Sequence, residues 1–125
     1  MLRTIAIVFG FIMVAVGLLG FYPPAVQGSK LLGWFAINPF HNIIHLLTGV
    51  VSIGCGFKTT ELSRVFFRVF GIIYGLVAIA GFYYMDHAIL GLVANNLADA
   101  VLHLAIAAGA IYLGFFYKTR STAKS

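Results

Sequence analysis

Charged side chains are scarce in this sequence. Asp, Glu, Lys and Arg make up 9% of its 125 residues, against about 25% in ordinary soluble domains. The hydrophobic fraction is 62%, and a domain of this length has too little interior to hide so much apolar surface from water. The composition excludes a typical soluble domain. It predicts a single transmembrane domain, residues 1–125, that is solvated by the lipid bilayer.

Cysteine and the motifs of common enzymes are equally scarce. Cys55 is the one cysteine in the sequence, which excludes an intramolecular disulfide and a CxxC motif. The sequence contains no phosphate-binding glycine loop and no recognisable set of nucleophile, base and orienting residue. Basic residues do not share a polar face with aromatics, so nucleic acid is excluded as a partner. These absences favour a non-enzymatic protein.

Long hydrophobic runs, in contrast, fill most of the chain. Each run is close to the ~20 residues that a helix needs to cross the hydrocarbon core of a bilayer. Helices are predicted because the runs show no strand alternation and lipid offers the backbone no hydrogen-bond partners. The fold class is therefore all-α, an integral membrane four-helix bundle. The four predicted spans are residues 5–22, 39–57, 65–84 and 92–117.

Basic residues lie mainly at one end of the predicted spans. Cytoplasmic loops of membrane proteins are enriched in Lys and Arg, so this distribution predicts a multi-pass protein with both termini in the cytoplasm. The opposite end carries Lys30 and Asp86. The basic groups are Arg3 at the N-terminus, Lys58, Arg64 and Arg68 between spans 2 and 3, and Lys118, Arg120 and Lys124 in a polar tail, residues 118–125.

The two halves of the chain resemble each other. VFGFIMVAVGLLGF (8–21) aligns with VFGIIYGLVAIAGF (69–82) at an offset of 61, and NPFHNIIHLLTG (38–49) aligns with NLADAVLHLAIA (96–107) at an offset of 58. Each half is a two-helix hairpin, so both enter the bilayer in the same sense. A pseudo-two-fold axis along the membrane normal is expected between them. The predicted repeats cover about residues 3–57 and 64–117.

Polar residues open the second helix of each repeat. Asn38, His41 and His45 are three and four residues apart, which places them on one helix face. An ionisable group costs several kcal/mol in lipid, so these side chains are expected to face the interior of the bundle. A polar pocket is predicted between helices 2 and 4 near the non-cytoplasmic side. Its residues are His41, His45, Asp99 and His103, with Asn38, Asn42, Asn96 and Ser52 in support.

Several roles remain open for this pocket. Its side chains can act as hydrogen-bonding glue that locks the bundle, with the asparagines as helix N-caps. Alternatively, His41, His45, Asp99 and His103 can hold a transition metal such as zinc, copper, iron or nickel. Two helix N-termini would repel a cation there and favour a polarised carbonyl such as that of a quinone. Haem ligation by His45 and His103 and passage of protons or small solutes are further alternatives.

Small residues predict close helix packing. Gly10, Gly17 and Gly20 lie in the first span, and Gly71 and Gly75 form a G-x3-G pattern in the third. Such residues let helix backbones approach each other, either within one chain or in a homodimer. The partners expected from the sequence are therefore the lipid bilayer and a second copy or a larger membrane complex.

The polar motifs also carry a resemblance. The pattern N-x2-HN-x2-HL-x2-G at Asn38–Gly49, together with N-x2-D-x3-HL at Asn96–Leu104, resembles a widespread bacterial family of small four-helix integral membrane proteins classed as a domain of unknown function. The likeness covers about residues 3–117. It implies a location in the bacterial inner membrane and supplies no activity.

The leading hypothesis is a non-enzymatic membrane module whose pocket binds a small ligand or metal or locks the bundle. The alternative is a redox or transport component that carries haem, quinone, protons or a metal ion.

Overall fold

A computed structural model of the protein describes residues 1–119, and within them the chain forms four long helices. The predicted all-α, four-helix architecture is confirmed. Positions 120–125 of the predicted polar tail lie outside the described residues. The helices are α1 (Leu2–Leu19), α2 (Pro39–Lys58), α3 (Thr60–Tyr84) and α4 (Leu97–Ile111), and α4 continues as a π-helical turn, Tyr112–Phe116.

Capping residues explain where the helices differ from the predicted spans. The hydroxyl of Thr59 accepts a hydrogen bond from the backbone N–H of Leu62 at 2.9 Å, so α3 begins five residues before the predicted hydrophobic run. Asn96 caps α4 in the same manner, and this helix begins five residues later than predicted. A side-chain oxygen at the N-cap satisfies backbone N–H groups that have no partner within the helix.

All four helical segments are long and apolar enough to cross a membrane. Their mean hydropathies lie between 1.4 and 2.4. Large apolar side chains are exposed on every helix, as the 58% exposure of Phe11 on α1 and the 63% exposure of Leu76 on α3 illustrate. Exposed patches of this extent are rare in soluble proteins. The chain is therefore a multi-pass membrane protein, as the hydrophobic runs predicted.

The helices pack as two hairpins. α1 lies along α2 and α3 lies along α4, whereas α2 and α3 make far fewer contacts. Phe9 of α1 packs against three aromatic rings of α3 (Phe66, Phe67 and Phe70), with ring centroids 5.2–6.3 Å apart. This contact joins the two hairpins on one side. On the other side, α2 and α3 pack less extensively than the helices inside each hairpin, and a groove lies between them.

Arginine side chains donate hydrogen bonds to backbone carbonyls at the helix ends that lie opposite the polar motifs. Arg3 donates from Nε to the carbonyl of Gly56 at 2.8 Å and from Nη2 to the carbonyl of Phe57 at 2.6 Å. Arg68 donates from Nε to the carbonyl of Gly114 at 2.7 Å. A cation at a helix C-terminus satisfies free carbonyls and interacts favourably with the helix dipole. These basic residues therefore have a structural role in addition to their value as topology signals.

A small antiparallel sheet in the α1–α2 connection was not predicted. Its three two-residue strands are β1 (Val26–Gln27), β2 (Lys30–Leu31) and β3 (Phe35–Ala36). The connection from β2 to β3 begins with Leu32 and Gly33, whose φ values are 54° and 77°. Two successive positive φ values are typical of the type I′ turns that close β-hairpins. The strands are too short for an alternating pattern to be visible in the sequence.

The same turn recurs in the second half of the chain. Leu90 and Gly91 have φ values of 54° and 72° and lie 58 residues after Leu32 and Gly33. A bridge between Ile89 and Val93 occupies the place of the β2–β3 pairing. The offset equals that of the polar motifs.

Candidate metal centre at the N-terminal ends of α2 and α4

Two asparagines fix the start of the helices that carry the candidate site. The Oδ1 atom of Asn38 accepts a hydrogen bond from the backbone N–H of His41, and that of Asn96 accepts one from Asp99, both at 2.9 Å. Pro39 follows Asn38 at the first helical position, where its fixed φ suits a helix and its missing N–H costs nothing. The two predicted N-caps therefore place His41 and Asp99 at equivalent positions one turn into α2 and α4.

The amide groups of the same asparagines join the two halves of the chain. Nδ2 of Asn38 donates to the carbonyl of Leu92, and Nδ2 of Asn96 donates to the carbonyl of Trp34, each at 2.9 Å. Trp34 and Leu92 are themselves 58 residues apart, directly after the two Leu-Gly turns. Each helix cap is thus bonded to the loop of the other half. We refer to these two hydrogen bonds as the asparagine clasp.

Loss of the clasp is expected to cost more than loss of a cap alone. In Asn38→Ala or Asn96→Ala, the free energy of unfolding should fall by about 2 kcal/mol, from about 1 kcal/mol for the cap and about 1 kcal/mol for the second hydrogen bond. Thr59→Ala is the matched control because Thr59 caps α3 through its hydroxyl without a clasp, and about 1 kcal/mol is expected there. Chemical denaturation in detergent micelles measures the difference, and equal losses in all three variants would contradict the clasp.

Three histidines from α2 and α4 meet beneath the clasp. The rings of His41, His45 and His103 have centroids 4.5, 5.6 and 6.3 Å apart. Each ring offers a nitrogen that lies within 4.8 Å of those of the other two. The residues are 2%, 8% and 5% exposed. The structure thus brings together three of the four predicted ligands in a buried cluster, which we call the three-histidine cluster.

Each ring of the cluster has a buried nitrogen without a hydrogen-bond partner among the described residues. Nδ1 of His41 lies 3.0 Å from the carbonyl oxygen of Ala36 and donates to it, since a carbonyl can only accept. That bond leaves Nε2 of His41 with its lone pair. Within residues 1–119, this atom and the Nδ1 atoms of His45 and His103 are buried without a hydrogen-bond partner.

Asp99, the fourth predicted ligand, lies outside the three-histidine cluster. Its Oδ2 atom accepts a hydrogen bond from the backbone N–H of Asn96 at 3.2 Å, while Asn96 caps the N–H of Asp99 in return. This reciprocal capping box turns the carboxylate back toward the start of α4. Asp99 is 2% exposed, so its side chain is a buried part of the helix cap.

The remaining predicted polar residues face α1. Ser52 is fully buried and donates from Oγ to the carbonyl of Ala6 at 2.7 Å, which joins α2 to α1. Asn42 is 3% exposed, and its side-chain amide lies where a Cβ on Gly20 would be. Asn42 and Ser52 therefore serve the contact between α1 and α2, and the three-histidine cluster is formed by the histidines themselves.

The predicted packing glycines divide into two groups. A Cβ added to Gly10 would lie 2.6 Å from the carbonyl oxygen of Gly49, and one on Gly71 would lie 2.9 Å from the backbone nitrogen of Ile111. Gly17 and Gly20 meet α2 equally closely. A Cβ on Gly75 would meet no atom within 4 Å among the described residues, because the buried line of α3 continues from Gly71 through Tyr74 and Ala78.

Two residues near the site were missed in the sequence. The ring of Tyr74 is 5% exposed and its centroid lies 5.0 Å from that of His103. Asn95 donates from Nδ2 to the carbonyls of Gly81 and Met85 at 3.0 and 2.7 Å, which joins α4 to the end of α3. The sequence did mark Tyr74 as unusual. Tyrosines of membrane spans usually lie at the membrane–water interfaces, whereas Tyr74 lies near the centre of its span. No pattern in the sequence marked Asn95, because it lies before Asn96, the predicted N-cap of helix 4.

Comparison with known proteins supports the sequence resemblance. The family described as "Domain of unknown function (DUF4383)" matches residues 3–116, which include the four helices apart from Leu2 and contain the three-histidine cluster. No curated protein and no solved structure matches the chain. Because the match covers nearly the whole chain, the protein belongs to the DUF4383 family of domains of unknown function.

Proposed function

We propose that the protein is a membrane module that binds one transition-metal ion through His41, His45 and His103. The observation that carries this proposal is the convergence of three buried imidazoles whose ligand atoms lie within 4.8 Å of one another. Within the described chain, each ring also has a buried nitrogen without a hydrogen-bond partner. Neutral imidazole is a preferred ligand of zinc, copper, nickel and iron.

The three ligand atoms lie within 4.8 Å of one another, farther apart than around a bound ion. Zinc–nitrogen bonds of about 2.0–2.1 Å place tetrahedral ligand atoms about 3.3–3.4 Å apart, so small side-chain rotations suffice to close the ligand set around an ion. The hydrogen bond from Nδ1 of His41 to the carbonyl of Ala36 fixes the tautomer that leaves Nε2 available. Metal-binding histidines typically have such an outer partner.

The alternative of structural glue accounts less well for the free nitrogens. Side chains that lock a bundle do so by forming hydrogen bonds, as Ser52 does with Ala6. An unpaired buried polar group costs about 1–3 kcal/mol instead. Three such groups in one cluster are destabilising unless something binds them. Paired haem ligation by His45 and His103 also fits poorly, because the ring of His41 lies 4.5 Å from the first ring and 5.6 Å from the second, in the space that the macrocycle would need.

Charge near the site does not argue against a cation. The N-termini of α2 and α4 direct partial positive charge toward this region. The carboxylate of Asp99 lies in the first turn of α4, where it offsets that charge. We therefore assign Asp99 the role of a nearby counter-charge and helix cap.

Cobalt titration tests the proposal directly. Purified protein in lipid nanodiscs is expected to bind Co²⁺ at a 1:1 ratio, with the visible absorption bands of a four-coordinate site, and Zn²⁺ should displace it. Substitution of any one histidine of the cluster by alanine should weaken binding at least 100-fold. His87→Ala is the control, since His87 lies in an exposed loop. Equal Co²⁺ affinity in the His45→Ala variant would overturn the proposal.

We further propose that the protein lies in a bacterial inner membrane with both termini in the cytoplasm. The basic groups at the ends of α1, α2 and α3 support this orientation through the positive-inside rule. A reporter protein that is active only in the cytoplasm is expected to be active when it is fused to either terminus. A reporter that is active only in the periplasm is expected to be inactive in the same fusions. A periplasmic C-terminus would contradict the orientation and place the three-histidine cluster in the cytoplasmic half of the bilayer.

A further inference from the structure

An apolar groove of about 580 Å³ lies between α2 and α3. It extends from His41 to Cys55 along α2, a distance of about 21 Å at 1.5 Å per residue. Its walls include Leu47 and Val51 on α2 and Val69 and Ile73 on α3. These four side chains lie on helix faces that lipid can reach. The volume is within the range of about 300–1,000 Å³ that is usual for ligand sites.

One end of this groove reaches two members of the three-histidine cluster. His41 and His103 both line it, both are more than nine-tenths buried, and each has a ring nitrogen without a partner among the described residues. Three protein ligands leave the fourth position of a tetrahedral metal open. A molecule in the groove would therefore reach the metal from the lipid phase.

Aromatic rings form one wall of the groove. Phe66 stacks on Phe70 with centroids 5.2 Å apart, Phe70 lies 4.1 Å from Tyr74, and Tyr74 lies 5.0 Å from His103. The rings are spaced four residues apart along α3 and end at the candidate metal. Flat π-systems pack favourably against such a surface, so this wall fits a planar headgroup.

The walls of the groove carry no charged side chain. None of its described lining residues is Asp, Glu, Lys or Arg, so no side chain in the groove would pair with the charged groups of a phospholipid headgroup, whereas a neutral ring needs no such partner. The proposed metal at the histidine end of the groove favours an oxygen that carries partial negative charge. A neutral ring that bears carbonyl oxygens meets both conditions.

We infer that the groove binds a lipid-soluble quinone, a planar ring with carbonyl oxygens and a hydrocarbon tail. The tail lies between α2 and α3, the ring lies against Phe70 and Tyr74, and a carbonyl oxygen takes the fourth position on the metal. This inference rests on the proposed metal site because the metal supplies the bond to the headgroup. It identifies the class of ligand and the route by which that ligand enters.

Spectroscopy of the cobalt-loaded protein separates this inference from the proposed function. Addition of a benzoquinone with a decyl tail is expected to shift the cobalt absorption bands saturably at a 1:1 ratio. Decylbenzene, which has the ring and tail without the oxygens, should leave the bands unchanged. Val69→Trp should fill the groove and weaken the quinone effect at least ten-fold, and Val51→Trp on the other wall serves as a second variant. Both should retain cobalt affinity, which verifies that they fold.

The matched control is Ile72→Trp, because Ile72 lies on the same helix as Val69 with the same 51% exposure and does not line the groove. Cobalt bands that do not respond to the quinone, or that respond equally in Val69→Trp, Val51→Trp and Ile72→Trp, would overturn the quinone inference and leave the metal site intact. Failure to bind cobalt would overturn the proposed function and, with it, this inference.

Discussion

The His45→Leu variant is expected to be more stable than the wild type without metal and to gain no stability when metal is added. Leucine removes a buried imidazole whose Nδ1 has no partner among the described residues, and relief of one such group is worth on the order of 1 kcal/mol. The wild-type protein should instead gain about 2.7 kcal/mol at a metal concentration 100 times its dissociation constant. The order of stability of the two proteins therefore reverses on addition of metal.

This reversal distinguishes a metal site from structural glue. If the histidines lock the bundle by bonding to each other, His45→Leu should lose about 0.6–2 kcal/mol with or without metal. Unfolding in mixed detergent micelles, with Zn²⁺ or with a chelator, measures both quantities in one experiment. His87→Leu is the matched control because the same substitution is made in an exposed loop. A loss of stability in chelator that is confined to His45→Leu would favour glue.

The Gly49→Val variant is expected to separate α1 from α2. A Cβ on Gly49 would lie 2.6 Å from the carbonyl oxygen of Gly10 and 2.9 Å from the backbone nitrogen of Val14. These are backbone atoms, so a side-chain rotation cannot relieve the overlap and the helices must move apart. The expected loss in the free energy of unfolding is at or above the upper end of the usual 1–3 kcal/mol for overpacking.

Gly54 provides a control on the same helix. A Cβ there would meet no atom within 4 Å of the described chain, so Gly54→Val is expected to change stability only slightly through helix propensity. Thermal unfolding of both variants in the same detergent measures the difference. If Gly49→Val unfolds at the same temperature as Gly54→Val, α1 and α2 are not in the close contact described above.

The sequence predicted the helices because lipid leaves the backbone few alternatives. Hydropathy located all four spans. The errors lie at the ends of the spans, where a single hydrogen bond can determine the residue at which a helix begins. The capping oxygens of Thr59 and Asn96 fix the starts of α3 and α4, and these starts differ by five residues from the predicted ones. The small sheet went unpredicted because its strands have two residues each and depend on a Leu-Gly turn with positive φ values.

Helical spacing predicted which residues of the candidate site share a helix face. The period of the helix placed Asn38, His41 and His45 on one face, and the repeat indicated that His103 would oppose them. Spacing does not say which way a side chain turns, so Asp99 was expected at the ligand set, whereas its carboxylate caps its own helix. The central position of Tyr74 in its span marks it as unusual, but its contact with His103 crosses a helix interface, and no local pattern reports such a contact.

The position of Asp99 makes the candidate site asymmetric. Asp99 occupies in the second half the place that His41 holds in the first. A histidine at position 99 would offer a fourth imidazole, which is enough to enclose a tetrahedral ion completely. Because the aspartate caps α4 instead, the proposed metal site keeps one position open to a ligand from the membrane.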